Sequence, residues 1–100
     1  MAHLLVMAAY LHIHIDVSDP ERFARYQELA RPTMKNYGAR LLSKAKEPEM
    51  LEGERAHAVT VLLEFDDEAA AKRWYASPEY AEAIEARRGV ATFVTTLLPA

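Results

Sequence analysis

The sequence predicts a single α+β domain whose strands and helices follow one another in the order β-α-β-β-α-β. Three observations carry this. Apolar residues alternate with polar ones from Tyr10 to Val17 and again from Ala58 to Phe65, the period of a half-buried strand. Apolar residues at helical spacing, preceded by capping residues, follow each of those two strands. The length of 100 residues, with 51% hydrophobic and 27% charged, suits one globular domain with one core and excludes a disordered chain.

In β1, Leu11, Ile13, Ile15 and Val17 fall on one face, and Tyr10, His12, His14 and Asp16 on the other. Ser18 with Glu21 three residues on forms a capping box, and Pro20 suits the first helical turn. Phe23, Tyr26, Leu29, Ala30 and Met34 then recur on one helical stripe, with Pro32 expected as a kink and Gly38 as the stop. Ala39 to Lys44 is a weaker second strand. The polar run Glu47 to His57, holding Pro48 and Gly53, is a long connection. Ala58 to Phe65 is the third strand, with Val59, Val61, Leu63 and Phe65 on one face. Asp66 or Asp67 caps a second helix carrying Ala70, Ala71, Trp74 and Tyr75. A helical turn restarts at Ser77-Pro78, runs through Tyr80, Ile84 and Ala86, and ends at Gly89. Val90 to Leu98 closes the chain as the fourth strand.

This order is the split βαβ pattern of the ferredoxin-like fold, a four-stranded antiparallel sheet with two helices on one face. The helices bury the aliphatic strand faces. The other sheet face would carry Tyr10, His12, His14, Leu62 and Glu64, with Leu42 and Val94, a mixture too apolar to leave wet. A second copy of the sheet covers it most simply, so a homodimer with a concave space for a small molecule is expected.

Composition excludes several functions. With no Cys there is no disulfide, thiolate nucleophile or Cys-ligated metal. A net charge of −3 argues against nucleic acid as partner. Gly38, Gly53 and Gly89 stand too far apart for a phosphate loop or dinucleotide fingerprint, and no nucleophile elbow is present. The apolar start, Met1 to Ile15, has no cationic residue or cleavage site of a secretory signal and is too short to span a bilayer. A soluble cytoplasmic protein is therefore expected, free of membrane, with Met1 to Val6 as a possible extension ahead of an alternative start at Met7.

Several residues together resemble the domain of unknown function 1330 family, of the dimeric α/β-barrel superfamily. They are Tyr10, Asp19-Pro20, Tyr26, Gly38, Leu51-Glu52-Gly53 and Glu64-Phe65. The most specific stretch is Trp74-Tyr75-Ala76-Ser77-Pro78-Glu79-Tyr80, followed by Arg87-Arg88. The likeness covers nearly all of the chain from about Met7. It implies a ferredoxin-like subunit pairing into a dimeric α/β barrel, and no settled reaction. Superfamily relatives include cofactor-free monooxygenases, isomerases and cyclases acting on aromatic or polyketide-like substrates, as well as heme proteins. Two departures stand out: Ala45-Lys46 replaces a glycine pair usual in the family, and His12 and His14 lie outside its pattern.

The residues themselves leave three readings of His12-x-His14 open. Alternate strand positions place both imidazoles on one side, about 6.6–6.8 Å apart along the strand. With Glu64 as third ligand they would suit zinc or non-heme iron. In a cavity, one of them would act as general acid or base, oriented by Tyr10, Glu64 or Asp16. In the third reading both hydrogen-bond across a dimer interface. Glu64 on a half-buried face needs a partner, and Arg40 is placed to supply an ion pair. Trp74, Tyr75 and Tyr80 are expected to pack, with one tyrosine at a pocket rim. Arg87 and Arg88 in the last helical turn favour the dipole or clamp a substrate anion. His3 and His57 carry no assigned role.

The functional expectation is a small enzyme needing no cofactor, with a cavity between helices and sheet or between paired sheets, His12, His14 and Glu64 catalytic, and Tyr10, Arg40, Tyr75, Tyr80, Arg87 and Arg88 binding substrate. Its alternatives are a non-catalytic ligand-binding or dimerisation module, and a metal-binding protein using His12 and His14.

Overall fold

A computed structural model describes residues 8–55 and 58–100. Its elements are β1 (Ala9–Val17), α1 (Pro20–Asn36), β2 (Arg40–Ala45), β3 (Val59–Phe65), α2 (Glu68–Tyr75), α3 (Pro78–Ala86) and β4 (Ala91–Pro99). The four strands form one antiparallel sheet in the order β2-β3-β1-β4, the ferredoxin-like arrangement. His3, His57 and the proposed extension Met1 to Val6 lie outside the described residues.

The alternation in β1 and β3 places Leu11, Ile13, Val61 and Leu63 in the core, each below a tenth exposed, beneath the helices. The opposite positions pair across the strands, with Tyr10 against Glu64 and Leu98, His12 against Leu62 and Thr96, and His14 against Thr60 and Val94. In β2 the ladder shifts between Leu41 and Ser43, so Leu42 is the extra residue of a bulge, where the sequence placed it in regular alternation on the open face.

Three helices, rather than two, cover the core face among the described residues. The segment after β3 is broken at Ala76-Ser77, because Pro78 cannot continue the hydrogen bonding of α2 and instead opens α3. Ser77 caps α3, its Oγ accepting from Tyr80 N at 3.1 Å, and Asp67 caps α2. The capping box at Ser18 is not formed. Asp19 accepts from Arg22 N and is the N-cap of α1, while the Ser18 hydroxyl donates to Val90 O at 2.8 Å and pins the start of α1 to the turn before β4. α1 runs unbroken through Pro32 and stops before Gly38, which adopts φ +79°, a conformation open to glycine at no steric cost.

Aromatic and polar contacts join the helices. The Trp74 indole is fully buried and donates to Thr33 Oγ1 at 2.9 Å, and that hydroxyl donates to Ala30 O at 2.6 Å. The hydroxyls of Tyr26 on α1 and Tyr80 on α3 share a buried hydrogen bond of 2.7 Å. No described helix is long and apolar enough to cross a membrane.

Candidate functional site

Beneath α1, between it and the strands β3 and β1, lies a cavity of about 560 Å³. Its walls are apolar: Ile13, Val61 and Leu63 rise from the sheet, and Phe23, Ala30 and Met34 descend from α1. A ligand cavity of this kind has an apolar interior with a few polar groups that orient the occupant. Here those groups are Gln27 and three cations. Arg31, Lys44 and Lys46 also border the cavity, are exposed, and form no ion pair with a carboxylate among the described residues. Among the described residues the lining contains no imidazole and no carboxylate.

Tyr26 and Phe93 close the side of this cavity toward α3 and β4. Burial pushes the Tyr26 phenol far above its ordinary value of 10, with the neighbouring Tyr80 adding to the rise and Arg87 opposing it. Burial raises Tyr80 as well. Both hydroxyls therefore stay protonated at any physiological pH and act as hydrogen-bonding groups, never as bases.

A second cleft, of about 410 Å³, lies between α3 and β4. Arg87, the C-cap of α3, borders it while only 9% exposed, its guanidinium 3.7 Å above the Phe93 ring centroid and 5.7 Å from that of Tyr26. Tyr75 and Arg88 border the same cleft. Arg88 is exposed and tied to Glu85 at 3.1 Å.

The residues singled out in the sequence thus separate into two groups on opposite sides of the sheet. On the open face, the His12 and His14 rings approach to 4.2 Å between centroids, both half-buried. Glu64 there accepts from Arg40 Nε at 2.8 Å, and Arg40 reaches on to Asp66 at 2.9 Å, the ion pair expected from the sequence extended by one carboxylate. Tyr10 is the ladder partner of Glu64. Among the described residues no three His, Asp or Glu side chains gather into a metal-sized set. On the helix side, Tyr75 is 44% exposed and borders the cleft, whereas Trp74 and Tyr80 are core residues.

Over residues 8–100 the chain matches the family described as a domain of unknown function (DUF1330). It belongs to that family. No curated protein matches it. Among solved structures, a protein of unknown function from Rhodopseudomonas palustris is 18% identical with a TM-score of 0.72, covering 93% of this chain and 82% of its own. SnoaB, a cofactor-independent oxygenase from Streptomyces nogalater, is 15% identical with a TM-score of 0.67, covering 94% of this chain and 93% of its own. A dimeric ferredoxin-like protein of unknown function from Thermobifida fusca is 12% identical with a TM-score of 0.62, covering 96% and 93%. At these identities the likeness establishes the ferredoxin-like fold.

For this DUF1330 chain the cavity beneath α1 lies in one of the two places the sequence allowed, between helices and sheet, and the sequence missed its rim of cations. Helical spacing marks Phe23, Ala30 and Met34 as inward-facing, and the same stripe would serve a solid core. Lys44 and Lys46 gave no signal, because a lysine at an exposed strand end is ordinary.

Proposed function

We propose that this protein is a small enzyme, working without a bound cofactor, that takes a mostly apolar aromatic or polyketide-like substrate into the cavity beneath α1 and stabilises its deprotonated form. The observation that carries this is the pairing of an apolar cavity of about 560 Å³ with three unpaired cations at its border. Isomerisation, cyclisation and cofactor-free oxygenation of such substrates share a first step, loss of a proton from a phenolic oxygen or an activated carbon. The electron pair left behind becomes a phenolate or enolate. Arg31, Lys44 and Lys46 lower its energy through the field they set up at the mouth, and the low-dielectric walls strengthen that field. The proton leaves to water at the open side, where no imidazole or carboxylate of the described residues lines the cavity. SnoaB, described as a cofactor-independent oxygenase, shares the fold and lends the reading support.

In the same reading the face carrying His12, His14 and Leu62 packs against a second copy, as the dimeric relative from Thermobifida fusca supports. A second reading keeps the acid–base chemistry on that face. The 4.2 Å approach of the two imidazoles favours it, since it brings two groups able to take or give a proton together on that face.

A phenol probe tests the first reading. Bound 2-naphthol should ionise about one pH unit lower than in water, followed by naphtholate absorbance, because cations near the oxygen favour the charged form. Lys44→Ser with Lys46→Ser should reverse most of that drop, and Val59→Phe should block binding by filling the cavity. An unchanged or raised naphthol pKa on the protein refutes it. If activity on any substrate disappears in His12→Ala or His14→Ala dimers whose naphthol binding is intact, the second reading replaces the first.

A further inference from the structure

We propose that the cleft between α3 and β4 is a separate binding site for a small molecule bearing a carboxylate, with Arg87 as its anchor. Arg87 is 9% exposed, yet among the described residues no carboxylate pairs with it and no hydrogen bond runs from its guanidinium to protein. Buried charges are ordinarily paired, because the interior replaces little of the solvation they lose. The carbonyl end of α3, where Arg87 is the C-cap, and the face of Phe93 offset part of that loss. Neither satisfies the in-plane N–H donors.

Those donors have somewhere to point. No fully enclosed side-chain nitrogen among the described residues lacks a hydrogen-bond partner, so the unpaired N–H groups of Arg87 are the ones open to the cleft that it borders. Stacking on Phe93 occupies the flat face of the guanidinium and leaves its edge free. That edge matches a planar carboxylate with two parallel N–H···O bonds, a match that a lysine at the same place would not provide. The rest of the cleft describes the rest of the ligand. Tyr75 and Ile84 supply apolar wall, Thr92 and Thr95 supply hydroxyls, and about 410 Å³ holds a ring as well as a carboxylate. An aromatic or short branched carboxylic acid fits this chemistry better than a bare inorganic ion. Arg88, already held by Glu85, is not the anchor.

The inference goes beyond the reading of the cavity beneath α1 and does not depend on it. The probe is benzoate, titrated into the full chain by calorimetry and by amide shifts, with inorganic phosphate as the second probe. Benzoate should bind saturably in the millimolar range or tighter and move the amides of Gly89 and Thr92. Arg87→Met should weaken it about tenfold or more, the scale of a lost charge-assisted pair, and Arg87→Lys by less. Val59→Phe should leave it within about twofold, the usual scatter for a residue outside the cleft. Binding that survives Arg87→Met, or that disappears in Val59→Phe, overturns the proposal, as does phosphate binding more tightly than benzoate. If Arg87→Met does not fold, the wild-type amides decide: shifts confined to Val59 and Val61 overturn it, and shifts at Gly89 and Thr92 uphold it.

Discussion

Removing one hydroxyl of the Tyr26–Tyr80 pair should cost more stability than removing both. The two oxygens lie 2.7 Å apart, and the residues that carry them are 5% and 1% exposed. In Tyr26→Phe the Tyr80 hydroxyl stays in place with its partner gone and water excluded, which costs about 1–3 kcal/mol, and Tyr80→Phe strands Tyr26 in the same way. In the double variant nothing polar is stranded and the ring packing is retained, so the loss should fall to within about 1 kcal/mol of wild type. Urea unfolding at pH 7 with an unchanged m-value measures all four proteins. A double variant destabilised by the sum of the singles refutes the argument.

The same pair fixes a pH dependence. Both phenols are raised in the folded protein, Tyr26 chiefly by burial and then by Tyr80, and Tyr80 chiefly by burial. Below the unfolded value of about 10, both states hold the proton and the full stability is present. Above it the unfolded chain releases protons that the folded chain keeps, so stability falls as pH rises, by about 1.4 kcal/mol per pH unit for each retained proton. Tyr37 is also raised, through its hydrogen bond to Glu79, and it is unchanged in the variants. The difference between wild type and the double variant therefore isolates the buried pair. Equal slopes above pH 10 in the two proteins would show that neither phenol is held protonated by the fold.

Two further outcomes are expected. Thr33→Val should cost about 1–3 kcal/mol in thermal or urea unfolding, because it keeps the shape while leaving the buried Trp74 indole N–H without its 2.9 Å acceptor. Leu62→Asp, which places a carboxylate on the open sheet face, should shift the mass in solution from a dimer toward the 11.3 kDa monomer while far-ultraviolet circular dichroism stays unchanged.

Much of the fold was legible because strands announce themselves by alternation, strict in β1 and broken in β3 only by Leu62 on the open face. Departures from the expected elements trace to competition among equally suitable groups. Ser18 and Asp19 can each cap α1, and which one does so depends on Val90 O, a long-range acceptor that takes the serine hydroxyl. Leu41 and Leu42 look alike in sequence, and only pairing with β3 decides which of them falls in the bulge. The candidate sites were less legible. Arg87 and Arg88 are adjacent and identical in chemistry, yet one lies on Phe93 and the other on the surface with Glu85, a choice set by the turn through Gly89 at φ +73°. The sequence also gives no measure of how closely α1 approaches the sheet, so the stripe that lines a cavity and the stripe that fills a core read identically.

The period of two in the strands has a functional corollary. Ile13 borders the cavity beneath α1, while His12 and His14, its neighbours in the chain, face the other way. If the open face is the proposed dimer surface, a substitution at His12 or His14 should change association between copies without altering the cavity walls, and one at Ile13 should do the reverse. On the helix side, Phe93 is a wall of the cavity beneath α1 and also the stacking surface for Arg87 in the second cleft. Coupling between the two proposed binding sites would have a short physical path through that ring. Coupling of either to the open sheet face would pass through the sheet backbone, which hydrogen bonding across four strands makes stiff. Selection on association and selection on ligand chemistry can thus act on different residues of the same strand.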